Sequence, residues 1–213
     1  MVINNPYIEK VQWDSDIIHI PEQIYDHKWK WRQYFWNSND IILEVGTGMG
    51  NFFAKQTWEN PDKNYIGMEI RYKRLFQTAE KSRKSEESHF VMLKDFAQNI
   101  DKIFTQWEIS QTYIFFPDPW PKDRHRKHRL LQEPFLENLY NITKSWWKLF
   151  FKSDHREYFD STKEILTKQW LWKIVEWTHN YENSAAFDIG NITEFESMYR
   201  WENTDINYIE LEK

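Results

Sequence analysis

The stretch IILEVGTGMGNFFAKQTWENPDKNYIGMEI, residues 41–70, decides the fold of this chain. It reads as an apolar strand, a glycine-rich turn, a helix from Asn51 to about Trp58, and a second apolar strand from Tyr65, which together predict a β-α-β unit. The same alternation of strands and helices continues toward the C-terminus. This order predicts an α/β fold with an open, mostly parallel twisted sheet and helices on both faces.

Outside this unit the sequence predicts an extension and one domain. Residues before Asn39 are aromatic and polar without clear periodicity, so 1–39 is expected to be an N-terminal extension packed on a single domain at 40–213. The other expected helices cover 71–84, the segment from Asp95 to about 106, 134–144 and 161–170, and the other expected strands cover 89–93, 111–116, 148–154, 172–177 and 206–211.

The composition excludes several classes of protein. The 213 residues suffice for one sizeable core, and no apolar run approaches the ~20 residues of a membrane span. The N-terminus lacks the basic-then-apolar order of a signal peptide, so no membrane partner and a cytoplasmic location are expected. Because the chain has no Cys, disulfides, thiolate zinc sites and cysteine nucleophiles are excluded.

Positive charge is concentrated in one short segment of an otherwise acidic chain. The net charge is -5, yet Lys122–Arg129 reads KDRHRKHR, with five cations, two histidines and one acid. Such a segment can neutralise nucleic-acid phosphates, although a solvated helix start is the alternative interpretation. We expect no metal at His125 and His128, because the surrounding cations disfavour a divalent ion and no carboxylate cluster flanks them.

Glycines and acids follow the first strands, at the edge where such sheets bind ligands. Glu44 precedes Gly46, Gly48 and Gly50, whose spacing lets the backbone approach a ligand and directs helix N–H groups toward it. A dinucleotide site would need glycine where Asn51 stands, and Glu44 would repel a pyrophosphate but not a cationic sulfonium. The pattern predicts S-adenosylmethionine as the cofactor, with a tight strand-to-helix turn as the alternative.

Two further acids complete the predicted cofactor site. Glu69 follows the second strand, where its carboxylate can accept hydrogen bonds from both ribose hydroxyls. Asp95 follows the third strand and can accept from the adenine amino group, with Phe96 beside it as an apolar cover. Three acids in this order favour a cofactor site over a simple turn.

The fourth strand leads into FFPDPWPKDRHRKHRL, residues 115–130, and here the chain resembles the bacterial tRNA (guanine-N7-)-methyltransferases. The likeness extends from about Lys28 to the C-terminus and includes the glycine-rich turn, YIGMEI, FKSD and TEFE. It implies a Rossmann-like S-adenosylmethionine-dependent methyltransferase fold. It also implies methyl transfer to N7 of a guanine in the variable loop of tRNA, with tRNA as the partner.

The resemblance also implies the roles of individual residues. Asp118 is implied to be the catalytic residue and, with Glu44, Glu69 and Asp95, a cofactor-binding residue. A turn role for Asp118, a packing role for Trp120, a helix cap at Asp154 and plain surface acids at Glu194 and Glu196 are the alternatives. Substrate binding is implied for Lys122, Asp154, Thr193, Glu194, Phe195 and Glu196, and RNA contact for Arg124, His125, Arg126, Lys127, His128 and Arg129.

Chemical reasoning gives Asp118 a compatible role. Pro117 and Pro119 stiffen the turn around it, and its carboxylate can accept from the N1–H and N2–H₂ edge of a guanine. N7 carries a lone pair and no proton, so its methylation needs no general base. We therefore expect alignment to dominate catalysis, an effect that reaches ~7–11 kcal/mol, with Asp118 stabilising the developing positive charge.

Other functions remain open from the sequence. A methyltransferase acting on another RNA or on a small molecule shares the cofactor half but needs no basic segment. A non-catalytic RNA-binding module on the same fold predicts no cofactor binding, and a dinucleotide oxidoreductase is disfavoured by Asn51 and Glu44. The oligomeric state, monomer or homodimer, is not predicted.

Tryptophan and glycine occur in an unusual balance. The chain has 13 Trp and 5 Gly, whereas average usage would give about 15 glycines. One hypothesis is that the source organism reads UGA as glycine and that the sequence was translated with tryptophan there; the alternative is a genuinely tryptophan-rich chain. The hypothesis expects several indoles to be strained or exposed. Relative to the family, Trp31 and Trp120 stand where tryptophan belongs, and the glycine positions are Trp29, Trp36, Trp107, Trp146, Trp147 and Trp170.

Overall fold

The computed structural model describes residues 5–28, 30–83, 89–189 and 192–213. The chain forms two compact units, Met1–Phe104 and Thr105–Lys213. Their boundary lies inside the span predicted as a single domain. Within the described ranges, no helix is long and apolar enough to cross a membrane.

The first unit contains the predicted β-α-β pattern. Its four strands are all parallel and lie in the order β1-β4-β3-β2, and the residues of β2 and β3 are all buried, as parallel strands require. The strands are β1 (Ile18–His19), β2 (Ile41–Val45), β3 (Asn64–Met68) and β4 (His89–Leu93), and the helices are α1 (Pro6–Trp13), α2 (Pro21–Ile24), α3 (Trp31–Tyr34), α4 (Asn51–Glu59), α5 (Tyr72–Ser82) and α6 (Ile100–Ile103).

The N-terminal segment belongs to the core of this first unit. Its strand β1 pairs with the edge of β4, joining Ile18 to Met92. Trp31 is fully buried, and its indole N–H donates to the carbonyl oxygen of Ile103 at 3.0 Å. Short helices and a two-residue strand carry too few turns for a clear hydrophobic period, which is why the sequence pattern shows no elements here.

The second unit is a mixed α/β unit. Its strands lie in the order β5-β6-β8-β7, with β5 and β6 parallel and β8 antiparallel to both of its neighbours. The strands are β5 (Ile109–Phe115), β6 (Thr143–Ser153), β7 (Lys173–Thr178) and β8 (Asn207–Glu212), and the helices are α7 (Glu133–Ile142), α8 (Arg156–Lys168) and α9 (Glu194–Trp201).

Most predicted elements are present, but some boundaries were wrong. The helical segment after Asp95 ends at Ile103, short of the predicted 106, and α8 begins at Arg156 instead of 161. Strand β6 begins at Thr143, whereas a strand was expected only from 148. The residues between these positions pair irregularly with β5, so they lack the regular pattern of a strand. The predicted end of the helix at Lys84 lies outside the described residues.

The irregularity in β6 is a bulge that contains a tryptophan pair. Thr143 pairs with Ile109, but the next pairing joins Lys148 to Gln111, so the intervening residues of β6 are displaced from the β5 ladder. Trp146 within this bulge has a φ of 68°, in the left-handed region that favours glycine. Trp146 therefore has a strained backbone, whereas Trp147 has no positive φ.

Three of the tryptophans singled out by the sequence have left-handed backbones. Trp36, Trp107 and Trp146 have φ values of 54°, 61° and 68°. Trp36 and Trp146 are 94% and 81% exposed, and Trp170 is fully exposed without a positive φ. The expectation of strained or exposed indoles is confirmed at these positions. Trp29 lies outside the described residues.

Candidate active site

The glycine-rich turn after β2 depends on left-handed backbone conformations. Gly46, Gly48 and Gly50 have φ values of 80°, 56° and 79°. A Cβ at Gly50 would lie 2.2 Å from the hydroxyl oxygen of Thr78, so this glycine allows α4 to pack on α5. At Gly46 a Cβ would meet no atom within 4 Å. The backbone at Gly46 therefore borders open space that a ligand can approach.

The predicted acids lie along one edge of the first unit's sheet. The register aligns Val45 with Met68 and Met68 with Leu93, so β2, β3 and β4 end side by side. Glu44 is the penultimate residue of β2, and Glu69 and Asp95 follow the ends of β3 and β4. All three side chains are buried. This edge therefore gathers three carboxylates beside the glycine-rich turn.

Glu69 also fixes the shape of that turn. One carboxylate oxygen accepts a hydrogen bond from the backbone N–H of Gly48 at 3.1 Å, and the other accepts from the N–H of Arg71 at 2.9 Å. The backbone N–H of Gly46 donates to the carbonyl of Met68 at 2.9 Å. The turn is thus tied to β3 before any ligand contributes.

Asp95 is bonded by a residue that sequence reasoning missed. Its Oδ2 accepts from the hydroxyl of Tyr25 at 2.8 Å, and its Oδ1 accepts from the N–H of Phe96 at 2.7 Å and from the side chain of Asn99 at 2.9 Å. Burial and the neighbouring Asp95 raise the pKa of Tyr25 to about 12. Phe96 presents an exposed ring beside this acid. The aperiodic segment around Tyr25 gave no signal of this contact.

In the second unit, strand β5 leads into a strained turn. Phe116 has a φ of 53° and donates its N–H to the carbonyl of Lys152 at 2.9 Å, and Trp120 has a φ of 43°. These two residues bracket the sequence from Pro117 to Pro119, here called the PDP turn. Left-handed non-glycine residues cost ~1–3 kcal/mol each and are concentrated at functional sites. The exposed Asp118 therefore lies between two strained residues, whose conformations the surrounding structure must stabilise.

The basic segment forms a 3-10 helix, Asp123–His128, directly after this turn. The ring of Trp120 lies 5.8 Å from that of His125 and 5.3 Å from that of His128, so it packs against the segment as the alternative interpretation expected. In the described residues, no group of three or more metal-ligating side chains is placed to hold an ion. The exposed cations of the segment are Lys122, Arg124, Arg126 and Lys127.

Arg129 differs from the rest of the basic segment because it is only 3% exposed. Its guanidinium donates to the carbonyl of Pro119 at 2.9 Å and to both carboxylate oxygens of Glu157, at 3.0 and 2.8 Å. The guanidinium of Arg129 is therefore occupied by partners within the protein. The structure therefore separates Arg129 from the five residues that precede it.

Two predicted substrate residues anchor α9. Thr193 is the N-cap, with its hydroxyl accepting from the N–H of Glu196 at 3.1 Å. The fully buried carboxylate of Glu196 pairs with Lys152 of β6 at 2.8 Å and with Arg200 at 2.8 Å. Burial lowers the pKa of Lys152 to about 8 and raises the pKa of Glu196. A buried pair of this kind fixes the position of α9 on β6.

Asp154 follows β6 and is contacted from the same helix. Burial, and then the neighbouring carboxylate of Asp154, raises the pKa of Tyr199 to about 12. The predicted alternative, a cap by Asp154 on α8, was wrong, because His155 accepts from the N–H of Tyr158 and is the N-cap.

Aromatic contacts bring α9 to the PDP turn. The ring of Phe116 lies 5.5 Å from Tyr199 and 6.5 Å from Phe195, and Glu194 is half-buried in the first turn of the helix. The second unit therefore places the turn of Asp118, the carboxylate of Asp154 and the start of α9 in one contiguous cluster.

The chain matches known proteins over most of its length. A family described as "putative methyltransferase" matches residues 38–209. A bifunctional glycosyltransferase/methyltransferase of Fusobacterium nucleatum is 35% identical over 97% of this chain, and the chain spans 31% of that relative. A tRNA (guanine-N(7)-)-methyltransferase of Lachnoclostridium phytofermentans is 33% identical over 90% of this chain and 87% of its own length. One of Cytophaga hutchinsonii is 31% identical over 95% of both chains.

Solved structures support the fold independently. An rRNA methylase of Streptococcus thermophilus superposes with a TM-score of 0.55 over 100% of this chain and 99% of its own, at 12% identity. An antibiotic-related methyltransferase superposes with a TM-score of 0.56 over 90% and 91%, at 15% identity. Such low identities establish the fold alone, and it is the Rossmann-like methyltransferase fold that the sequence predicted. Together with the relatives of similar length, this likeness shows that the chain belongs to the family of bacterial tRNA (guanine-N7-)-methyltransferases.

Proposed function

We propose that this protein transfers a methyl group from S-adenosylmethionine to N7 of a guanine in the variable loop of tRNA. The observation that carries the proposal is the shared edge of β2, β3 and β4, where the glycine-rich turn lies beside Glu44, Glu69 and Asp95. The second unit adds the PDP turn and the basic segment. Full-length relatives that carry the tRNA methyltransferase name support the substrate.

The donor set of the first unit fits S-adenosylmethionine. Buried carboxylates at Glu69 and Asp95 can accept hydrogen bonds from ribose hydroxyls and an adenine amino group, and Glu44 suits a cationic aminoacyl end. Open space at Gly46 lets the backbone approach the ligand. When bound, this cofactor supplies an electrophilic methyl group on a sulfonium. The exposed ring of Phe96 would cover the adenine side of the bound cofactor.

In the second unit, Asp118 is the catalytic residue of the proposal. Its carboxylate accepts from the N1–H and N2–H₂ edge of guanine and stabilises the positive charge that develops on the base. N7 has no proton to lose, so no side chain need act as a general base. The strained backbone at Phe116 and Trp120 keeps Asp118 in place, and alignment supplies most of the rate enhancement.

Other residues of this unit hold the RNA. The substrate nucleotide is bound by Lys122, Asp154, Thr193, Glu194, Phe195 and Glu196. The last four lie at the N-terminus of α9, where Thr193 is the N-cap and Glu196 is buried. Arg124, His125, Arg126, Lys127 and His128 contact the phosphate backbone, which positions tRNA without reading its sequence.

The test is methylation of unmodified tRNA with labelled S-adenosylmethionine, followed by borohydride and aniline cleavage, which maps 7-methylguanine. We expect one cleavage site in the variable loop. Asp118→Asn should lower kcat at least about a hundredfold, because it removes the charge that stabilises the methylated base. Label incorporated at a different atom, or into small acceptors but not into tRNA, would refute the assignment.

A matched control exists in the first unit. Asp62 is exposed and also follows a proline in a turn, so Asp62→Asn makes the same chemical change away from the proposed machinery. Its kcat should equal that of the unmodified protein. The urea midpoint of unfolding should be the same for both variants as for the unmodified protein, and a lower midpoint would expose a folding defect.

A further inference from the structure

The guanidinium of Arg129 is held by four hydrogen bonds in the second unit. Its Nε donates to the carbonyl of Pro119 at 2.9 Å, Nη1 donates to Glu157 and to Ser161 at 3.0 and 3.1 Å, and Nη2 donates to Glu157 at 2.8 Å. The group also lies over the ring of Tyr158, 5.0 Å from its centroid. A fork of this geometry is specific to arginine, because lysine has a single nitrogen.

This arrangement joins the PDP turn to α8. Pro119 is the residue directly after Asp118, and Glu157, Tyr158 and Ser161 all belong to α8. The bond to the Pro119 carbonyl therefore fixes the C-terminal side of the turn to a packed helix. On the N-terminal side, the N–H of Phe116 is bonded to Lys152 of β6. Hydrogen bonds therefore fix the backbone on both sides of Asp118.

Glu157 also reaches the exposed basic segment. Its Oε1 lies 3.3 Å from the guanidinium of Arg126, which also pairs with Asp123 at 2.8 Å. The hydrogen bonds from Arg129, followed by the charges of Arg129 and Arg126, lower the pKa of Glu157. The carboxylate consequently stays ionised as the partner of Arg129 at neutral pH.

We propose that Arg129 is a positioning residue that holds the PDP turn, and with it Asp118, through the Pro119 carbonyl, rather than a contact to RNA. The inference rests on the proposed function for its catalytic readout. It assigns Arg129 a role different from that of its neighbours in the basic segment. A positioning residue acts on kcat, whereas a phosphate contact acts on tRNA affinity and on its salt dependence.

Arg129→Lys tests the proposal, because it keeps the positive charge and removes the fork. We expect kcat at saturating tRNA to fall at least about tenfold, since misplacement of a catalytic group lowers the rate steeply. The Kd for tRNA should stay within about twofold, with an unchanged slope of log Kd against log salt. An unchanged kcat, or a weaker affinity with a slope reduced by about one, would overturn the proposal.

Lys127→Ala is the matched control in the same segment. Lys127 is exposed, so removal of its charge should weaken tRNA binding and reduce the salt slope by about one without lowering kcat at saturation. Glu157→Gln provides a second variant that acts on the same fork. It should also lower kcat. Because both residues belong to one hydrogen-bonded pair, the double variant should lose less activity than the sum of the two single losses.

Hydrogen exchange separates this proposal from the proposed function. Without any substrate, Arg129→Lys should accelerate amide exchange in the peptide 115–122, while peptides of β2 and β3 keep their protection. If the unmodified protein methylates no tRNA but Arg129→Lys still accelerates exchange in 115–122, the proposed function is refuted and the role of Arg129 is not. Unaltered exchange in 115–122 would refute the role of Arg129.

Discussion

At the scale of single residues, the left-handed aromatic residues divide into two kinds. Phe116 and Trp120 bracket the PDP turn, where strain is a common feature of functional sites. Trp36, Trp107 and Trp146 belong to no predicted site and expose much of their indole rings. An exposed indole gains little from packing that would offset backbone strain. The glycine hypothesis for these positions stands, and the gene decides it, because UGG codons at Trp146 and Trp147 would end it.

Trp146→Gly should raise the free energy of unfolding by about 1 kcal/mol. The left-handed conformation costs an L-residue roughly 1–2 kcal/mol, and the greater freedom of glycine in the unfolded chain offsets part of the gain. Urea denaturation measures the change. Trp170→Gly removes an even more exposed indole without a positive φ and should give no gain. Equal effects of the two substitutions would contradict the conformational explanation.

At the scale of elements, the attachment of α9 to β6 organises the second unit's part of the site. The buried Lys152–Glu196 pair fixes the helix, and Tyr199, one turn further along, lies near Asp154 and packs its ring on Phe116. Helix α9 therefore helps to position both Asp154, a predicted substrate-binding residue, and Phe116, the strained residue that precedes the PDP turn. The predicted substrate role of Glu196 stays a prediction, while its buried contacts already give it a structural one.

Tyr199→Phe should raise KM for tRNA about fivefold while leaving kcat nearly unchanged. The substitution removes the hydroxyl that lies beside Asp154, whose interaction we expect to be worth about 1 kcal/mol, but keeps the ring on Phe116. Steady-state kinetics over a range of tRNA concentrations measures both constants. Tyr140→Phe on α7, whose ring packs on Trp172, serves as the control with unchanged kinetics. A loss in kcat alone would argue that the hydroxyl acts on Asp118 instead.

Local patterns were sufficient to predict much of the fold and part of the site. The β-α-β unit and the glycine-rich turn depend on short-range periodicity and backbone conformation, so they are readable from 41–70. The burial of Arg129, the contact of Tyr25 with Asp95 and the cap by His155 depend on residues distant in sequence or on exact helix starts. Periodicity carries no information about such partners.

At the scale of the whole molecule, sensitivity to acid follows from a buried histidine in the first unit. His19 is 3% exposed and stacks on His27 at 4.9 Å. Burial, and then repulsion from His27, lowers the pKa of His19 from 6.5 to about 4. The native ring therefore stays neutral at pH values where the unfolded ring takes up a proton.

We expect the free energy of unfolding to fall by about 3 kcal/mol as the pH drops from 6.5 to 4 because of this one group. The depressed native pKa means that the stability is fully present above pH 6.5 and is lost on acidification. Urea denaturation at pH 7 and pH 4 measures the loss. His19→Phe should reduce it, whereas His89→Gln, at an exposed position, should not. An undiminished acid effect in His19→Phe would assign the loss to other groups.

The bond between Tyr25 and Asp95 has a practical consequence for shortening this protein. A truncation at residue 40, where regular alternation of strands and helices begins, would remove both Tyr25 and the buried indole of Trp31. The remaining chain would keep every glycine and acid of the cofactor edge yet leave Asp95 without its phenol donor and Ile103 without its indole partner. We expect such a shortened chain to bind S-adenosylhomocysteine more weakly than its intact motif suggests.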